Sequence, residues 1–171
     1  MPAGNHWALL VSAEEYAAER LYHHDTLATP RQLPPGDGVL LVADVDPPVV
    51  FGVATVRQDG ELAYTRRVFD ESPPADKLAL DGVLTPMDEQ AFREMTALLP
   101  APVDRREWLV SVDLPIEAES AAEAVRQFWT YVTTLGPAEL PAFVAPAGDE
   151  LAMQAYVVGQ ETNLDPEEEG D

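Results

Sequence analysis

The chain has 171 residues, no cysteine, and 31 acidic against 10 basic residues, a formal net charge of -21. That length supports one ordinary domain or two small ones, and 46% hydrophobic residues supply a real core. Without thiols there are no disulfides, thiolate zinc sites or cysteine catalysis, and the negative field opposes phosphate backbones at long range.

Residues 1–16 lack a basic n-region, their apolar run is too short for a signal core, and no segment approaches membrane-spanning length, so the cytoplasm is the expected location. Residues 7–11 predict a strand ending at Ser12, a good N-cap for an acidic, alanine-rich helix over 13–21. Residues 22–35 lack periodicity and hold three prolines, which predicts a loop. Gly36-Asp37-Gly38 then turns the chain into a strand over 39–42. After a turn at 44–48, residues 49–56 predict another strand, with Gly52 marking a bulge or a close backbone approach. Asp59-Gly60 signals a tight hairpin into a strand over 62–69.

A proline-containing connection follows over 70–76, and 78–84 reads as a weak strand or extended arm. Thr85 reads as a helix N-cap, with Pro86 at the first helical position, acids in the first turn, and Phe92, Met95, Leu98 and Leu99 at packing positions. Two prolines within 100–104 mark the best linker. Beyond it, 107–116 alternates as a strand with Trp108, Val110, Val112 and Leu114 on one face. Ser120 to Glu123 matches a capping box for a helix reaching Leu135, stopped by Gly136-Pro137, with Ala121, Val125, Phe128, Val132 and Leu135 as its buried stripe. Strands over 140–144 and 150–158 complete the pattern. The predicted organisation is a barrel domain over 1–103, a small strand-helix-strand-strand α+β unit over 104–160, and an acidic disordered tail over 161–171.

Trp7 begins the first strand, His24 sits in the loop before the Pro35-Gly36-Asp37 turn, Phe51-Gly52-Val53-Ala54 lies on the next strand, and Tyr64-Thr65-Arg66-Arg67 on the one after. This order over the first hundred residues resembles the PUA-like superfamily, and within it the EVE and YTH domains. The resemblance implies an α+β fold, a PUA-like (EVE-like) mixed β-barrel with peripheral helices. It also implies a non-enzymatic module that recognises a nucleobase, modified bases included, in DNA or RNA. Two departures stand out: Asp25 and Thr26 follow His24 where the family commonly has glycine and lysine, and the cage tryptophan of YTH domains is missing after the first helix.

Tyr22, His23 and His24 can offer rings and hydrogen-bonding edges to a flipped or free base. Stacking falls to Tyr22 or His24, with polar selection by Ser12 and Arg31. Helix capping is the competing role for Ser12. Arg66 forms the only basic concentration with Arg31, Arg57 and Arg67, unless these arginines pair with Asp59, Asp70 or Glu71. Adjacent histidines diverge, and catalytic, phosphate-loop and dinucleotide patterns are absent, so the expectation is no enzyme, no metal and no cofactor. The alternative expectation is an acidic interaction or regulatory subunit that binds a basic partner protein. Trp129 either extends the helix's buried stripe or, if exposed, marks a partner surface.

Overall fold

The computed structural model describes residues 4–102, 104–157 and 160–161, and the chain divides into the units Met1–Val103 and Asp104–Asp171. The first unit contains β1 (His6–Ser12), α1 (Ala13–Tyr22), β2 (Thr26–Leu27), β3 (Gly38–Asp44), β4 (Val49–Val56), β5 (Leu62–Arg67), β6 (Leu84–Met87) and α2 (Glu89–Ala97). Its six strands form one mixed sheet in the order β2-β5-β4-β3-β1-β6, in which only the β1–β3 pair is parallel.

Consecutive residues are buried along β3 and β4, so both faces of the sheet must be covered. On one face Leu41, Phe51 and Leu62 pack with Leu9 and with Tyr16 of α1. On the other, Leu40, Val42 and Val53 pack with Phe92 and Met95 of α2 and with Leu99. The fold is α+β, and the sheet curls as a half-barrel rather than closing. Its end strands, β2 and β6, do not pair with each other. Two register shifts, between Leu41 and Val42 and between Val53 and Ala54, bend it. Gly52 lies at both the bulge and a close approach, since a Cβ there would stand 3.0 Å from the Arg66 carbonyl oxygen.

The expected helix start at Thr85 is corrected. Thr85 and Pro86 belong to β6 and pair with Ala8 and Trp7 of β1, while Asp88 caps α2 by accepting the Ala91 N–H at 2.8 Å. Thr85 Oγ1 instead accepts the Asp81 N–H at 2.8 Å. β1 needs a partner along its free edge, and β6 as an end strand tolerates a proline whose missing N–H would face outward.

The second unit contains β7 (Trp108–Ser111), α3 (Ala121–Leu135), β8 (Ala142–Pro146), β9 (Gln154–Val157) and β10 (Gln160–Glu161), with an antiparallel sheet in the order β10-β9-β8-β7. β7 is shorter than the expected 107–116, because its partner strand is preceded by Pro141, which has no N–H to extend the ladder. The expected strand over 140–144 runs over 142–146 instead, and a 3-10 turn over Glu150–Ala152 replaces the start of the one expected over 150–158. Gly148, at φ 85°, and the Asp149 N–H to Pro146 carbonyl bond make a longer reversal than the sequence suggests. Residues 162–171 of the expected tail lie outside the described residues.

α3 starts as expected, with Ser120 Oγ accepting the Glu123 N–H at 3.2 Å, and ends at Gly136 with φ 75°. Its expected buried stripe is corrected, because no residue of α3 is buried. Within the described residues of this unit, the buried hydrophobic side chains are Leu140 and Ala145.

Candidate functional site

Ser12 closes β1 and opens α1, and its Oγ accepts the Glu15 N–H at 3.2 Å. α1 ends where His23 adopts the left-handed conformation, φ 51° and ψ 50°, with its N–H returned to the Glu19 carbonyl. That reversal brings His24 back onto the last turn, where its Nδ1 lies 2.6 Å from Glu19 Oε1. Glu19 is only 3% exposed. Its second oxygen, Oε2, accepts the Tyr64 hydroxyl of β5 at 2.7 Å, so both carboxylate oxygens are satisfied and the buried charge is stabilised.

Tyr64 and Arg67 are three residues apart, a spacing that puts side chains on opposite faces of a regular strand. The register shift that leaves Thr65 extra in β5 reverses this, and the Arg67 guanidinium carbon lies 5.2 Å from the Tyr64 ring centroid. Arg67 Nη1 also donates to the His24 carbonyl at 2.6 Å. Arg66 is sent to the other face, where its Nη1 donates to the Thr96 carbonyl of α2 at 3.2 Å.

Burial pushes the Tyr64 phenol far above its ordinary value, helped by its hydrogen bond to Glu19. Partial burial lowers His23 below its ordinary value, with the Arg67 charge acting in the same direction. The His23 ring meets Phe69 with centroids 4.8 Å apart. Beside this cluster, the Tyr22 and His24 rings are both exposed, 5.7 Å apart between centroids.

Of the residues singled out from sequence, the fold therefore brings Tyr22 and His24 together. Ser12 is engaged as a cap and Arg66 in the tie to α2, while the Arg31 guanidinium carbon sits 5.0 Å from the Trp7 ring centroid. The Pro35-Gly36-Asp37 turn acts as a clasp: buried Asp37 accepts the Asn5 N–H at 3.0 Å and Trp7 Nε1–H at 2.9 Å. Sequence reasoning missed Glu19 as a buried acid and Arg67 as the residue that pins the loop. One signal was present for Glu19: it stands three positions after Tyr16, on the helix face that packs on the sheet.

The cluster can orient an imidazole and hold a loop, with His24 Nδ1 engaged by Glu19. Among the described residues no group of three His, Asp or Glu side chains converges to hold a metal ion, and none of their helices is long and apolar enough to cross a membrane.

Fold and site define an α+β protein of two units, the first a mixed half-barrel sheet with a histidine, a tyrosine and an arginine organised around a buried glutamate. No family model, curated protein or solved structure matches the chain.

Proposed function

We propose that the first unit is a PUA-like, EVE-type binding module that accepts a nucleobase, ordinary or modified, in DNA or RNA, and performs no chemistry on it. Two adjacent exposed rings, Tyr22 and His24, one of them fixed by the buried Glu19 carboxylate, support this reading. With Nδ1 turned to Glu19, the His24 ring presents its Nε2 edge to a base. Tyr22 supplies the stacking surface. With 31 acids against 10 bases in the chain, recognition rests on the base rather than on phosphates, so added salt, which screens the repulsion from the phosphates, does not weaken binding.

The test is titration with nucleosides and short oligonucleotides carrying ordinary or methylated bases at low salt. Millimolar or tighter binding, weakened about fivefold or more by Tyr22→Ala, is expected. Absence of binding in that range, or a Tyr22→Ala variant indistinguishable from the parent, overturns the proposal.

A further inference from the structure

In the second unit, Trp108 and Val110 of β7 share a sheet face with Val144 of β8 and Tyr156 of β9, because Val110 pairs with Val144 and Ala142 pairs with Tyr156. Val132 of α3 borders the same space, so α3 lies on this side of the sheet. Between helix and strands is an open apolar cavity of about 650 Å³ with no charged residue in its wall.

Layer dimensions explain the space. Four strands about 4.8 Å apart spread a face of roughly 15 to 19 Å, whereas one helix covers about 10 Å. A sheet of this width takes two helices to cover it, and this unit supplies only α3 among its described residues. The uncovered side chains are large: Val110 is 64% exposed, and Trp108 is exposed beside it. Val125 and Trp129 lie on the same helical stripe as Val132 and are 57% and 60% exposed, so the helix wall of the groove continues for two further turns.

Charge selects the occupant. Residues 104–157 hold nine acidic and three basic side chains. Arg106 lies over the Trp108 ring, its guanidinium carbon 4.1 Å from the centroid, and the exposed Glu139 precedes Leu140 of the groove in the chain, so the unit's excess charge is negative around a groove that holds one cation. A second copy of the chain would set two such surfaces against each other, whereas a cationic partner relieves the repulsion.

We propose that this groove docks an amphipathic helix of a partner protein, its apolar face covering Val110, Trp108 and Trp129 and its flanking Lys and Arg residues drawn by the net negative charge of the unit. The site lies wholly in the second unit and is independent of base binding by the first.

The test uses the full chain and a labelled leucine–lysine amphipathic helix of roughly 15 residues, with its leucine–glutamate counterpart as control. The lysine peptide is expected to bind one-to-one, and the glutamate peptide about tenfold or more weakly by comparison. Val110→Glu and Val110→Ser are both expected to weaken the lysine peptide about tenfold. The Glu variant is decisive because it adds negative charge, and attraction by charge alone would strengthen binding. Val83→Glu, at an exposed valine of the first unit, is expected to leave binding unchanged. Parent-like affinity in both Val110 variants overturns the proposal, as does a parent dimer in sedimentation that Val110→Glu dissociates, since the groove's occupant is then a second copy.

Discussion

Glu19 and Tyr64 stand 45 residues apart and meet through a 2.7 Å hydrogen bond that joins α1 to β5. Glu19→Ala removes the acceptor for both Tyr64 and His24 and is expected to cost about 2 to 3 kcal/mol, whereas Tyr64→Phe costs about 1 to 2 kcal/mol. Urea denaturation of the two single variants and the double variant measures their coupling. Additive losses would contradict the shared bond.

The Tyr64 phenol has a further consequence at high pH. Its folded value lies above its unfolded value of 10.0, so the native state holds this proton more tightly than the unfolded state does. The resulting stability is fully present below pH 10 and is lost as pH rises from there toward the folded value. The urea midpoint of the parent should therefore fall more steeply between about pH 10 and 12 than that of Tyr64→Phe.

His23 acts at the other end of the scale. Burial first, then Arg67, lowers its folded value below 6.5, against the opposing charges of Glu19 and Asp70. The unfolded state consequently binds more protons, and this group's stability is present above pH 6.5 and lost as pH falls through the folded value. His23→Asn retains a residue suited to the left-handed conformation, so its urea midpoint should decline less on acidification than the parent's.

The reassigned start of α2 separates two neighbouring residues. Asp88→Ala should cost about 1 kcal/mol through the lost cap. Thr85→Val leaves the Asp81 N–H without its acceptor and should loosen the β1–β6 pairing instead. Amide exchange at Ala91 in the first variant and at Asp81 in the second distinguishes them, and a cap function for Thr85 would reverse the pattern.

Local chemistry was readable wherever the interacting groups lie within about four residues of each other. Ser12 and Ser120 cap the helices that follow them, and Gly60, at φ 88°, makes the β4–β5 hairpin. Each is settled by a short-range hydrogen bond or a backbone angle that the sequence itself dictates. Thr85-Pro86 carried an equally good local signal for a helix start, and it failed because β1 required an edge partner.

The candidate site was half legible. His24 and Tyr22 stood out as aromatic residues in an irregular loop, but what holds His24 did not, because Glu19 lies on a helix and Arg67 on a strand more than 40 residues away. A single extra residue in β5, Thr65, decides that Arg67 rather than Arg66 faces His24, and strand alternation read from sequence carries no record of such a shift.

For α3 the division is plainest. Its sequence alone determined the helix, both of its ends and the side that is apolar, since those follow from spacing and caps. Only the tertiary structure decided that this side remains open, because covering it depends on how many helices the sheet beneath receives, and periodicity within one helix contains nothing about its neighbours.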